Sequence, residues 1–472
     1  MKMESVIYEY DAIIADDGHL PDDANGVPVR VFTWLESQCL SGESADTRWL
    51  RITKQHGRRA LQVTGYVGVI RAPCGYQIEV LPKIGKATDA ETARGLLIQM
   101  LACLGEFRHI LTDDAHLLSK RMPLFDVFIR HFICTVEALV RRGVRGGYVA
   151  QQNQLAFLRG KLLVSVQIRS NAVRRDRFMA EFDDFVQDRP ENRLVRAALR
   201  RTLSLCRSED LRRRARELCF VFHDIPESLD VARDLRMVRI ERDMSRYEQP
   251  LAWARLILQG MSPLTGSGEH LAPSLLFPME ALFEAYVAKH LGKQLADGYH
   301  LKAQARSQYL TLHLDRPWFQ MKPDLLIQDA TGNRQVLDTK WKLIDAQLAN
   351  RQTKYQLSQS DFYQLYAYGH HYLKGDGDVV LIYPKTDDFM MPLAPFHFPQ
   401  QPGMRLWVLP FCLRTKTLLL PDDEQVGAPF LVPNPNAPFH DLPICKRRPN
   451  IRPLNRTPCL AVAEQYQASA VL

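Results

Sequence analysis

The chain has 472 residues, of which 46% are hydrophobic, and a formal net charge of +8. At roughly 150 residues per domain this length predicts two to four domains, and the composition excludes a wholly disordered chain. No run of about 18 apolar residues occurs, which excludes a membrane-spanning helix, and nine scattered cysteines without a Cys-x-x-Cys pair argue against a disulfide framework or a structural zinc site. The opening MKMESVIYEYDAIIADDG carries acids early and has no apolar core, so no secretory signal is expected and the expected location is cytoplasmic. The positive balance favours an acidic partner, of which nucleic acid is the commonest.

Residues 1–87 read mostly as strands. LQVTGYVGVIRAP and GYQIEVLPKIG are β-rich runs around a PCG turn, consistent with a small barrel or a curled sheet. From Thr88 the period becomes helical: TDAETARGLLIQMLACLGEF has an N-cap and acids in its first turn, and LFDVFIRHFICTVEALVRRG is a second strong helix. Two short strands are expected in YVAQQNQLAFLRGKLLVSV. A helix follows in PENRLVRAALRRTLSLC with Pro190 near its start, then helical residues 228–260 and a loop at 262–274. A third region starts with the helix MEALFEAYVAKHLGKQL. It continues through a hairpin, the helix SQSDFYQLYAYGHHYL, and strands in DVVLIYP and RLWVLPFCL.

The hairpin MKPDLLIQDATGNRQVLDTKWK (321–342) carries the chemistry. With ATGN as its loop, Asp324 falls across from Asp338, within a residue or two. Asp338 and Lys340 are two apart and share one face of their strand, while Thr339 points to the other as a packing position. Charges behind the apolar pair Val336–Leu337 need compensation, because burying an unpaired charge is costly. Carboxylates suit Mg²⁺, a hard cation that takes oxygen ligands, and an ammonium beside them can stabilise charge developing on a phosphodiester. Glu280 and Glu284 lie one helical turn apart, and one of them can reach this site. Gln364 and Tyr368, at i and i+4, can line the same cleft and touch DNA.

Pro323-Asp324 … Asp338-Thr339-Lys340 resembles the PD-(D/E)xK nuclease motif. A helix with Glu284, a hairpin, then a helix with Gln364-x-x-x-Tyr368 matches the core order of that fold, a mixed sheet flanked by helices that cuts DNA with Mg²⁺. A longer ordered set is more specific: GYVGVIRAPCGYQIEVLPKIG (65–85), LRGKLLVSVQIRSN (158–171), FDDFVQDRPENRLVRAAL (182–199), LFEAYV (282–287), PDLLI (323–327), DTKWK (338–342), FYQLYAYG (362–369) and LIYP (381–384). Together they resemble the McrC family, the nuclease subunits of McrBC modification-dependent restriction systems. The resemblance spans residues 60 to 385; the first 60 residues match loosely, and 416–472 have no counterpart.

The resemblance implies an α+β or α/β multidomain chain. Its parts are an N-terminal β-rich partner-docking module (1–87), a mainly helical middle region (88–262), a C-terminal PD-(D/E)xK restriction-endonuclease-like domain (270–416) and a Pro/basic-rich extension (417–472). It implies Mg²⁺ held by Asp324, Asp338 and Glu284, with Lys340 positioning the attacking water and Gln364 and Tyr368 as DNA contacts. It also implies a McrB-like AAA+ GTPase partner, whose hydrolysis the chain stimulates, and modified double-stranded DNA as substrate. The chain lacks a G-x-x-x-x-G-K-[ST] string and so carries no motor of its own; LPKIGKA (81–87) misses the first glycine and the Ser/Thr. Two competing expectations are a free-standing PD-(D/E)xK nuclease of repair or RNA processing and a non-cutting adaptor that activates an AAA+ NTPase.

Three basic features are read more simply. Arg189, Arg193, Arg196 and Arg200 form one helical stripe, which suits phosphates, an acidic partner surface or plain solvation; LRRRARE (211–217) is read the same way. Lys446, Arg447 and Arg448 make a basic tail cluster. His370 and His371 are adjacent, so a shared metal role is not expected of them.

Overall fold

The computed structural model describes residues 4–421 except 22–23, 42–48, 88, 105–121, 171–175, 240–243, 260–274, 296 and 331. The expected loop at 262–274 and the cluster Lys446, Arg447, Arg448 lie outside the described residues, as does the extension from residue 422 on.

The N-terminal part contains β1 (Glu4–Tyr8), β2 (Ala12–Asp16), β3 (Asn25–Pro28), α1 (Val29–Ser41), β4 (Leu50–Gln55), β5 (Arg58–Val63), β6 (Tyr66–Arg71) and β7 (Gln77–Leu81). In place of one barrel or curled sheet, these strands enter two sheets, one of them ordered β3-β2-β5-β4. The helix α1 was not foreseen, since VRVFTW is rich in residues that favour strands. Tertiary packing overrides that preference: Val31, Leu35 and Cys39, spaced at i, i+4 and i+8, are buried against Ile13, Val27 and Leu61.

The middle part is α2 (Ala90–Leu101), α3 (Leu124–Arg142), β8 (Gly147–Leu155), β9 (Lys161–Leu162), α4 (Val164–Ser170), β10 (Phe178–Val186), α5 (Pro190–Leu205), α6 (Glu209–Val221), α7 (Val231–Met237) and α8 (Ser245–Gln259). Asp89 caps α2 by accepting from the Thr92 N–H at 2.8 Å, and Pro190 opens α5. Strands β8, β10 and β9 form a separate antiparallel sheet, of which β10 had not been foreseen. The arginine stripe is largely neutralised within the chain. Arg193 pairs with Asp188 and Asp234, Arg189 with Glu191, and Arg200 with Glu227. In LRRRARE, Arg212, Arg213, Arg214 and Arg216 all meet acids of α3 or of their own helix.

The chain then returns to its N-terminal part. Strand β11 (Leu275–Pro278) pairs with β6, completing the sheet β1-β7-β6-β11. Gly68 makes that crossing possible. Its φ is +133°, and a Cβ there would collide with the Leu275 carbonyl oxygen. A strand numbered within the expected nuclease region therefore belongs to the N-terminal sheet, and α9 (Met279–Leu291) leads directly out of it.

The remaining elements are β12 (His300–Ala303), β13 (Gln308–His313), β14 (Arg316–Met321), β15 (Leu325–Asp329), β16 (Gly332–Thr339), α10 (Gln359–Leu373), β17 (Gly377–Pro384), β18 (Phe396–Phe398), β19 (Gln401–Cys412) and β20 (Thr417–Leu418). They build a mixed sheet in the order β12-β15-β16-β17-β19-β18, with β20 on β19 and with β16, β17 and β19 parallel. Its central strands are covered on both faces. Leu325, Ile327, Leu337, Val380, Ile382 and Leu409 join the large core shared with α9 and the middle helices, while Leu326, Val336, Val379, Leu381 and Val408 pack with α10. Strands β13 and β14 form a two-stranded ribbon outside this sheet. Among the described residues, no helix is long and apolar enough to cross a membrane.

Candidate active site

The hairpin forms as expected, but with a shorter turn than ATGN: Gly332 and Asn333 already pair with Asp329 and Gln328, and a bulge between Ile327 and Gln328 resets the register. Leu325 faces Leu337 and Leu326 faces Val336 in antiparallel register. Continuing that register by one residue sets Asp324 against Asp338. Asp338 and Thr339 are still paired to β17 on the other side, so this end of β16 is interior to the sheet. Asp338 is 1% exposed. A carboxylate so buried needs a partner, and the Lys340 ammonium lies 2.6 Å from its Oδ2. This short charge-assisted contact is the partner of the buried carboxylate and opposes the rise in its pKa.

Asp324 is held differently. The Thr339 N–H and Oγ1 both donate to its Oδ2, at 2.8 and 2.7 Å. Thr339 was expected to be a packing position; instead it fixes the first aspartate. Asp324 lies one residue before β15, where strand alternation no longer sets side-chain direction, and its carboxylate turns back onto the neighbouring strand.

Glu284 enters from α9. Burial pushes its carboxyl up to about 7, and the charges of Asp324 and Asp338 push the same way. Burial, then Asp324, also raises Asp338 to about 7, with Lys340 opposing. Asp324 thus presses its charge on both, and Asp338 on Glu284. Glu280, one turn earlier, acts instead on Glu9, Tyr10, Tyr66 and Lys83 and so faces the N-terminal sheet. Lys340 is half-buried, which alone would lower its pKa, but Asp338 overcomes this and keeps the ammonium charged.

The helix α10 supports the lysine. Lys340 Nζ donates to Gln364 Oε1 at 3.2 Å, and Gln364 Nε2 donates to the Tyr368 hydroxyl at 2.9 Å. That hydroxyl donates to the Lys322 carbonyl at 3.2 Å, and Tyr368 is buried. Both residues were expected to touch DNA; here they brace Lys340, and Tyr368 has little surface left to offer a ligand. His370 and His371 lie further along α10, with His370 Nδ1 3.1 Å from Gln401 Nε2.

Three contributors escaped the sequence reading. Gln304 donates from Nε2 to Glu284 Oε1 at 3.1 Å and from its backbone N–H to the Asp324 carbonyl at 2.7 Å, tying two of the acids together. Asp361, buried on α10, accepts from Lys342 at 2.9 Å; the alternation of Lys340 and Lys342 was the signal for it. The third is a joint to the N-terminal sheet. Trp341 Nε1 donates to both oxygens of the fully buried Glu9, at 2.6 and 3.0 Å, and Lys83 donates to the Trp341 carbonyl at 2.9 Å. Trp341 also packs on Phe283, next to Glu284, with ring centroids 5.3 Å apart.

Among the described residues, no three His, Cys, Asp or Glu side chains are already closed around a metal position. The carboxylates of Glu284, Asp324 and Asp338 are nonetheless the oxygen-donor type that a hard divalent cation takes, and Asp324 disfavours the charge of the other two.

The family model for the McrBC 5-methylcytosine restriction system component matches residues 61–384, more than half of the chain. Among solved structures, the chain is similar to one described as a refined half-complex from the tetradecameric assembly of Thermococcus gammatolerans McrB AAA+ hexamers with bound McrC. The identity is 19% and the TM-score 0.61, over 89% of this chain and 98% of that one. A cryo-EM structure of the Thermococcus gammatolerans McrBC complex aligns over 61% of this chain and 87% of that one, at 23% identity and a TM-score of 0.46. No protein of curated function matches. The half-complex similarity concerns the fold; the family match, which runs through the β15–β16 hairpin and α10, identifies the chain as a member of the McrBC family of 5-methylcytosine restriction system components.

Proposed function

We propose that this chain is the DNA-cutting component of its restriction system, a PD-(D/E)xK-type endonuclease hydrolysing phosphodiesters with Mg²⁺. The observation that supports the reading is that the charges of Asp324 and Asp338 act on Glu284, and that of Asp324 on Asp338, while the braced Lys340 ammonium lies 2.6 Å from Asp338 at the end of a mixed sheet covered on both faces. Mg²⁺ held by the three carboxylates supplies charge neutralisation at the phosphate and a more acidic water. Thr339 fixes the Asp324 carboxylate and Gln304 steers Glu284. Lys340, kept protonated, orients the attacking water and stabilises charge developing on the phosphate oxygens. Gln364 holds the ammonium in line while Asp338 is engaged elsewhere.

The solved relative carries McrB AAA+ hexamers with bound McrC. On that similarity and the family membership we propose an AAA+ GTPase partner, whose hydrolysis this chain stimulates, and DNA carrying 5-methylcytosine as the substrate. The test is cleavage of methylated and plain plasmid, with and without partner, GTP and Mg²⁺. Cutting that needs all of these and disappears in Asp338→Asn supports the reading. Cutting by the chain alone with Mg²⁺ would point to a free-standing nuclease. A restriction phenotype that survives Asp338→Asn and Lys340→Ala would point to an adaptor.

A further inference from the structure

The ribbon β13–β14 stands out from the rest of the molecule. Every residue of β13 is exposed, and of β14 only Met321 is buried. Isolated two-stranded ribbons are marginal in water, and an exposed apolar one invites unwanted association. This one nevertheless presents Leu312, Leu314, Trp318 and Phe319, with Leu314 at 83% and Phe319 at 68% exposure.

Its backbone is strained at the same places. Leu314 and Asp315 form the tip with φ of 48° and 60°, a turn that normally takes Asn or Gly. Phe319 has φ of 57° inside a strand, and the ladder skips it: Tyr309 pairs Gln320 and Thr311 pairs Trp318. Strain and exposed apolar bulk at the same residues mark a surface shaped for something other than stability.

The ribbon's base, by contrast, is fixed to the site. It starts just after Gln304, which holds Glu284 and Asp324, and it ends two residues before Pro323-Asp324. The Tyr372 hydroxyl donates toward the carbonyls of Ala305 and Met321, at 3.4 and 3.3 Å, and Tyr368 holds the Lys322 carbonyl. Arg306, Arg316 and Lys322 line the ribbon and its root, and among the described residues none of the three forms an ion pair; Asp315 is the ribbon's one acid.

We propose that the β13–β14 ribbon is the element that engages the DNA duplex beside the cleavage site. Arg306, Arg316 and Lys322 hold phosphates, and Leu314 and Phe319 press into a groove against base steps. Six residues extend about 20 Å, enough to reach into a duplex groove about 6–12 Å wide. Apolar side chains on such protrusions wedge between base pairs in other DNA-bending proteins. The occupant is a polyanion with apolar base edges because the exposed surface is both cationic and apolar, and because it is rooted where a phosphodiester must lie. The inference rests on the endonuclease reading.

The test measures binding apart from cutting. A labelled duplex of about 30 base pairs carrying 2-aminopurine is titrated with the full chain in EDTA across a range of salt. The variants are Leu314→Ser/Phe319→Ser, Arg306→Ala/Arg316→Ala, and Phe220→Ser as an exposed aromatic change on α6. We expect at least about tenfold weaker binding for each ribbon variant. The arginine pair should lower the salt slope by about 2, the loss of two phosphate contacts. The apolar pair should remove the 2-aminopurine signal of base unstacking. Phe220→Ser should bind like the parent, and circular dichroism should be unchanged throughout. Parent binding matched by both ribbon variants overturns the ribbon proposal alone. Unchanged duplex binding with altered sedimentation also overturns it, in favour of contact between copies of the chain. A parent chain that binds no duplex overturns the ribbon proposal, and the endonuclease reading falls with it only if the chain with its partner, GTP and Mg²⁺ also leaves methylated plasmid uncut.

Discussion

Glu9 and Asp338 are both buried acids, both raised to about 7 by burial, and they meet residues only three apart on one strand and its exit, Asp338 itself and Trp341. Their surroundings differ. Both oxygens of Glu9 accept from the Trp341 indole, and the Lys83 charge favours its ionised form. Asp338 faces the charges of Asp324 and Asp361 and is engaged by the Lys340 ammonium at 2.6 Å. A buried acid with its donors in place is a joint. A buried acid set against other acids is the arrangement we propose as a cation site, at a cost in stability.

The largest effect should come from Asp338→Asn. Cleavage should fall about 10³-fold or more, the range of lost electrostatic stabilisation, while the melting temperature holds or rises because a repulsive charge is gone. Coupled cleavage and melting assays check this; a simple structural acid would lose stability first. Trp341→Ala should do the reverse. It removes a packed indole and strands Glu9, so we expect about 3–5 kcal/mol of destabilisation by denaturant titration. Glu9→Ala is milder, about 1–3 kcal/mol, since it leaves only the indole N–H and the Lys83 backbone N–H without their acceptor, while the Lys83 ammonium keeps the Trp341 carbonyl.

The smallest effect separates the two acids by pH. Glu284, Asp338 and Glu9 all titrate higher in the folded chain than their ordinary range, so their protonated forms favour folding. That contribution is present in full below about pH 4 and fades as pH rises through about 7. Metal-free protein should therefore melt lower at pH 8 than at pH 6. Added Mg²⁺ should restore about 2–4 °C at pH 8 in the parent and in Glu9→Gln, but not in Glu284→Gln. Equal restoration in all three would erase the distinction between joint and site.

The sequence showed the hairpin well because it needs only a period of two and a turn. The alternation of Val336, Leu337 and Asp338 was legible, but a four-residue ATGN loop would set Asp324 opposite Thr339; Gly332 and Asn333 instead pair with Asp329 and Gln328, and a bulge at Ile327/Gln328 shifts the register by one. What it hid lay where local rules stop. Thr339 gained its role because Asp324 sits beyond the strand end. Gln304 acts from a left-handed backbone position, φ 48°, in a link with no period. Glu9 and Trp341 lie 332 residues apart, and no local pattern joins them. The helix α1 hid behind β-favouring residues whose packing decided otherwise.

The most direct measurement is calorimetric titration of Mn²⁺ into the full metal-free chain at pH 7.5, with Asp338→Asn and Glu9→Gln beside it. The account predicts a saturable site in the parent, retained in Glu9→Gln and lost or weakened at least about tenfold in Asp338→Asn. A parent that takes up no cation, or an Asp338→Asn chain that binds as the parent does, would contradict it.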